Sequence, residues 1–183
     1  IKQCLVGSEM CIRDSMWVKW IRRLEFGDKP YMTREETSKY TDLLTDGKAR
    51  MFTWVMEAKS VVTSPSPEKP ILHKGIQQLR GLAWSGKGKI KRVDVSLDGG
   101  KNWRTAQLHA PIMSKSLVRF TLPFEWSGEE LLIQSRAIDE TGYVQPNIHE
   151  LQKIRGKNSI YHNNSIATWL VSKSGKVDNV RLG

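Results

Sequence analysis

Apolar and polar residues alternate along most of the chain beyond residue 71. In IKRVDVS, Val93 and Val95 face one way, with Leu97 continuing the row, and Arg92, Asp94 and Ser96 face the other. That period of two predicts a half-buried strand. Further strands are predicted in GIQQLRGLAW, WRTAQLH, SLVRFTLPF and ELLIQSRAID, punctuated by SGKGK, DGGKN and SGE. Helical periodicity is absent from this half. Short strands at such intervals predict a mainly β fold, an immunoglobulin-like (E-set) antiparallel β-sandwich over roughly 60–172.

Between two of these strands stands SLDGGKNW, which reads either as a ligand loop or as the tip of a hairpin. Asp98-Gly99 and Gly99-Gly100 supply the positive φ that tight turns need, so the hairpin has the mechanism, with WRTAQL returning as the partner strand. Trp103, just past the turn, would cover the hairpin end. The same letters fit the Asp box of sialidase-like propellers, but a propeller repeats that unit around a ring and it occurs here once.

The first part of the chain has less pattern. IKQCLVGSEMCIRDS shows no period and resembles translated adaptor sequence, so residues 1–15 are expected to be a non-native leader. MWVKWIRRLEFGD alternates well enough to predict a strand. A short helix is expected around Arg34 to Lys39, with Thr33 as cap and Glu36 three residues on, inside an otherwise polar surface excursion. VMEAKSVVTSPSPEKP ends in a Pro/Ser cluster that marks the entry to a separate module. The domains expected are thus 1–15, 16–59 and 60–183. After the last clear strand, DETGYVQPNIHELQKIRGKNSIYHNNSIATWLV reads as a long Gly-, Asn- and Pro-containing connection before a final short strand. Loops of this length are usually functional, and Arg155, flanked by Gly156 and Lys157, stands out within it.

Composition narrows the function classes. The 183 residues are 39% hydrophobic and 26% charged, ordinary for a folded chain. No apolar run nears the roughly 18 residues of a membrane span. The net charge of +10, from 29 basic against 19 acidic residues, favours an anionic partner. The basic residues are scattered, and no helix-turn-helix, zinc-finger or RNA-sheet motif accompanies them, so nucleic acid is disfavoured. Cys4 and Cys11 form neither a disulfide framework nor a metal site. His73, His109, His149 and His162 are too dispersed to be ligands.

Several stretches together resemble one family. GLAWSGKGKIKRVDVSLDGGKNWRTAQL, IQSRAIDETGYVQP and NNSIATWLV are similar to the C-terminal dimerisation domain of the sulfite oxidase family of molybdenum enzymes. VKWIRRLE resembles the segment leaving that family's cofactor domain, so the sandwich would be preceded by an extended tail of it. YMTREETSKYTDLLTDGKAR is closest to the sulfane dehydrogenase branch, the SoxC type of thiosulfate oxidation.

The resemblance implies oxidation of a sulfur compound at a molybdenum–molybdopterin cofactor. It also implies a homodimer formed through the sandwich, a c-type cytochrome as electron acceptor and a periplasmic location, with neither nucleic acid nor membrane as partner. Lys19 falls where the family's lysine contacts the pterin, and an ammonium suits its phosphate. Arg155 falls where an arginine of the dimerisation domain reaches the substrate pocket, and a planar guanidinium can hold two oxygens of a sulfur oxyanion. The family's metal-ligating cysteine precedes the segment matched here, so the chain alone is expected to bind cofactor poorly and to catalyse nothing. A freestanding immunoglobulin-like interaction module is the competing expectation, and a binder of anions through charge alone is a third.

Overall fold

The computed structural model describes residues 20–29, 31–32, 34–51, 55–157 and 163–181. Cys4, Cys11, Lys19, the expected leader and the capping Thr33 lie outside the described residues. The chain divides into two compact units, 1–32 and 33–183. In the first, the strand expected from MWVKWIRRLEFGD does not form over the described positions 20–28, which are exposed and carry no strand or helix. A strand persists only when a neighbour takes up its N–H and C=O groups, and the described residues of that unit contain no second strand.

The second unit begins with helix α1 (Arg34–Lys39), where it was expected. A small hairpin follows, β1 (Asp42–Leu43) against β2 (Ala49–Arg50), closed through a turn at Gly47. The sandwich comprises β3 (Lys59–Ser64), β4 (Gly75–Trp84), β5 (Ile90–Ser96), β6 (Arg104–Thr105), β7 (Gln107–His109), β8 (Val118–Trp126) and β9 (Leu131–Asp139). Helix α2 (Ile148–Arg155) then precedes β10 (Thr168–Val171) and β11 (Val177–Val180). One sheet runs β11-β10-β9-β5-β6 and the other β3-β4-β8-β7, with antiparallel pairing throughout.

Alternation places the core between the sheets. In β8, Val118, Phe120, Leu122, Phe124 and Trp126 point inward, and Leu79 and Ala83 do so in β4. They meet Val93, Val95, Ile133 and Ala137 of the opposing sheet, along with Val171 and Val177. Gly81 stands opposite Phe120 in the register. A Cβ at 81 would lie 2.1 Å from the Phe120 ring and 2.5 Å from the Val61 carbonyl oxygen, so this glycine is there for close approach. Gly81→Ala is expected to cost about 1–3 kcal/mol through overpacking. Urea denaturation followed by tryptophan fluorescence measures it, and a loss under half a kilocalorie would show that the Phe120 ring moves aside freely.

The predicted WRTAQLH strand is in fact two. β6 pairs with β5 in one sheet and β7 with β8 in the other, so the chain changes sheets at buried Ala106, whose N–H donates to the Val93 carbonyl at 2.9 Å. SLDGGKNW closes the β5–β6 hairpin as expected. The Asp98 carboxylate accepts from the backbone N–H of Lys101 and Asn102, from Asn102 Nδ2 and from Ser96 Oγ. Those bonds, led by the one from the Asn102 backbone, hold its pKa far below the usual carboxylate range. Trp103 donates to the Gly100 carbonyl and carries the Arg136 guanidinium on its ring at 4.1 Å. Val93 and Val95 face the core and Asp94 and Ser96 the other side, as the alternation predicts, and on that side both are buried as well. Arg92 and Arg136 pair with Asp94, the hairpin loop bonds to Ser96, and together they cover that face.

Candidate functional site around Arg155

The connection read from the sequence as irregular contains α2, a correction with a local cause. Asn147 and Glu150 form a capping box: Glu150 N–H donates to Asn147 Oδ1 at 2.9 Å, and Asn147 N–H to Glu150 Oε2 at 3.2 Å. The helix ends at Gly156 with φ of 78°, where a Cβ would meet the Leu43 carbonyl oxygen at 2.1 Å. Both the left-handed backbone and the approach to β1 therefore require glycine. Leu151 and Arg155, four apart, share the buried face of the helix.

Arg155 is 1% exposed. Its Nη1 donates to Asp42 Oδ2 at 3.0 Å and its Nη2 to Glu57 Oε2 at 2.9 Å; both carboxylates are also buried. Among the described residues its Nε has no partner. Glu57 Oε2 also accepts from the Tyr143 hydroxyl at 3.1 Å, and Lys87 Nζ lies 3.4 Å from Oε1. Asn164 Nδ2 in turn donates to the Tyr143 hydroxyl oxygen and to the Ala58 carbonyl, at 3.1 Å each. Burial works to raise the Glu57 pKa, but the hydrogen bond and charge of Arg155, then Tyr143 and Lys87, outweigh it and hold the carboxyl below its ordinary range. Burial first, and the facing Glu57 charge after it, push the Tyr143 phenol up. Tyr143 owes its place to Asp139, a fully buried carboxylate that accepts from Ser85 Oγ and from the backbone N–H groups of Thr141 and Tyr143.

Asp42 and Glu57 carried no signal in the sequence. Each lies about a hundred residues from Arg155, and only the folding of the hairpin and α2 onto one side of the sandwich brings them together. A second feature, a polar groove of about 700 Å³, is bounded by the SLDGGKNW loop and the first turn of α2, with Gln134, Arg136 and Thr168 on its floor; Arg155 does not line it. No group of three or more His, Cys, Asp or Glu among the described residues stands together to hold a metal ion.

A family profile described as the Mo-co oxidoreductase dimerisation domain matches residues 50–169. The chain belongs to this family. Sulfite oxidase of Gallus gallus is 32% identical over 154 residues, covering 76% of this chain and 33% of that enzyme. An NADH nitrate reductase of Solanum lycopersicum is 37% identical over 105 residues, half of this chain and 12% of the reductase. Among solved structures, the sulfane dehydrogenase SoxCD from Paracoccus pantotrophus superposes with a TM-score of 0.83 at 60% identity, covering 92% of this chain and 43% of that one. The chain therefore spans about a third to two fifths of those two proteins. The sandwich is a Mo-co dimerisation domain of the sulfite oxidase family and matches the SoxC type, with the immunoglobulin-like fold the strand spacing predicted.

Proposed function

We propose that this chain is the dimerising and substrate-facing part of a molybdenum-dependent sulfite or sulfane dehydrogenase that acts in thiosulfate oxidation. The observation that carries the reading is 60% identity to the SoxCD sulfane dehydrogenase over 92% of the chain. Two chains pair through the sandwich, with the stretch before residue 60 leading from a cofactor-binding domain. Electrons pass to a c-type cytochrome, and the enzyme works in the periplasm. When bound, the molybdenum cofactor supplies the redox chemistry, and Lys19 contacts its pterin phosphate.

Arg155 is the chain's contribution to the oxyanion pocket. A guanidinium has five N–H donors in a fixed plane. Two of these go to Asp42 and Glu57 and the side chain is 1% exposed, so an oxyanion reaches the guanidinium only where this cluster opens toward the rest of the enzyme. Arg155→Lys keeps the charge and loses the planar fork, so in the full-length, molybdenum-loaded enzyme the KM for sulfite should rise about tenfold or more. An unchanged KM, with the protein folded, removes Arg155 from the pocket. Sedimentation velocity of the chain tests the pairing, for which a monomer at micromolar concentration is the contrary result.

A further inference from the structure

The polar groove beside the SLDGGKNW loop carries more positive charge than its own walls balance. Lys59, Arg136 and Arg181 line it against a single lining carboxylate, Glu150, whose Oε2 is engaged by the Asn147 N–H in the cap of α2. Lys59 is half-buried, and its ammonium has one partner among the described residues, the Asn163 carbonyl at 2.6 Å. Burial lowers its pKa, as it does for a cation with no anion beside it. Arg136 lies over the Trp103 ring at 4.1 Å and reaches Asp94 at 3.3 Å, a carboxylate that it shares with Arg92. Its Nη1 and the whole Arg181 guanidinium form no hydrogen bond among the described residues. Four side-chain amides also line the groove, and each keeps one polar atom unspent. Gln134 Nε2 donates to Thr168 Oγ1 and Asn179 Nδ2 to the Thr168 carbonyl, which leaves Gln134 Oε1 and Asn179 Oδ1 as acceptors. The Oδ1 atoms of Asn147 and Asn163 accept from the Glu150 and Ser165 N–H groups, which leaves both Nδ2 groups as donors.

We propose that this groove docks an acidic, extended peptide segment of a partner protein, with Lys59, Arg136 and Arg181 taking its carboxylates and the four amides its backbone. Charge sets the sign of the partner, since three cations face one carboxylate that is already engaged. Size sets its length. Pockets of roughly 300–1,000 Å³ hold molecules much larger than an inorganic oxyanion, which would fill only a corner of a groove of about 700 Å³. The spare hydrogen-bonding groups set its chemistry, because two free acceptors and two free donors complement the N–H and C=O groups that an extended chain presents along its length. Trp103 already carries a guanidinium on its ring, which argues against stacked bases as the occupant. The same contact, with Asp94 behind it, holds Arg136 in place before a ligand arrives, so little side-chain freedom is lost on docking.

Arg155 does not line the groove, so the test is independent of its role. Fluorescence anisotropy of a labelled Asp-Val-Asp-Val-Asp peptide, titrated with the full 183-residue chain, measures the docking. The peptide should bind about tenfold more tightly than an Asn-Val-Asn-Val-Asn counterpart, and added salt should narrow the difference. Lys59→Gln and Arg181→Gln should each weaken the Asp peptide about fivefold and leave the Asn peptide unchanged. Arg181 is exposed just past β11, so Arg181→Gln carries the test if Lys59→Gln does not fold. Asn179→Ala should weaken both peptides alike, by about threefold, because it removes a backbone partner and no charge. Arg119→Gln removes the same charge from β8 in the other sheet and should change neither. Equal binding of the two peptides, or a loss in Arg119→Gln that matches Lys59→Gln, would mean that net charge alone acts, and the docking site falls. Sodium sulfate that binds by calorimetry and is lost in Lys59→Gln, with no peptide bound, would make the groove a small-anion site and overturn the peptide reading. Binding should persist in the full-length enzyme; its loss there would show that another part of the enzyme fills the groove, and the partner is ruled out.

Discussion

Arg155→Met is expected to destabilise the chain by about 3–5 kcal/mol, because it leaves two buried carboxylates without their cation. Asp42 and Glu57 are each 7% exposed, so neither can regain full hydration by rotating outward. Lys87 and Arg50, partly exposed and 3.4 and 3.8 Å from Glu57 Oε1, reach only one of the two. The triple variant Asp42→Asn, Glu57→Gln, Arg155→Met should recover most of the loss, since it leaves no unpaired buried charge. Urea unfolding followed by tryptophan fluorescence compares the three proteins, and a single-variant loss under 1 kcal/mol would show that the pairs matter little to stability. The sign of the pH effect follows from Glu57. Its pKa is lowered from 4.5 in the folded chain, so its contribution is present above about pH 4.5 and is lost as pH falls through the lower folded value. Without Arg155 that lowering is largely removed, and the midpoint of acid unfolding should move upward.

Gln145→Leu is the second large effect. Gln145 is 1% exposed, and its Oε1 accepts from the Ser60 N–H at 2.8 Å, the Ser60 hydroxyl at 2.8 Å and the Ala137 N–H at 3.0 Å. Ser60 belongs to β3 and Ala137 to β9, so one amide oxygen from the loop between β9 and α2 bridges the two sheets. Leucine fits the volume but accepts nothing, and each buried donor left unpaired costs about 1–3 kcal/mol. The Ser60 hydroxyl keeps a partner in Ser135 Oγ at 2.9 Å, so the loss falls on the two backbone N–H groups. A loss of roughly 3 kcal/mol or more is therefore expected, with faster amide exchange at Ser60 and Ala137. Exchange that stays slow at both positions would mean that water or a rearranged loop replaces the oxygen.

The alternation in β4, β5, β8 and β9 was enough to place those strands to within a few residues, because a two-sheet core imposes period two on every strand that crosses it. The same logic missed the break inside WRTAQLH, since a strand that changes sheets keeps its alternation and loses only its partner. It missed α2 for a different reason. The helix has eight residues, too few for a visible period, and its evidence was the capping pair Asn147 and Glu150 with Gly156 at the far end. Those letters were legible but were read as loop composition.

Arg155 was singled out from its sequence context and from a family likeness, whereas the carboxylates that hold it were not. Local sequence determined the strands, the DGG turn, the helix caps and the family, because each depends on residues a few positions apart and on a backbone that obeys short-range sterics. Only the tertiary structure decided that Asp42 and Glu57 converge on one guanidinium with Tyr143 and Asn164 behind Glu57, that Gln145 joins the sheets, and that Asp94 is buried. Those contacts join residues tens of positions or more apart, and they exist because burying a charge or an amide requires a partner that chain order does not announce.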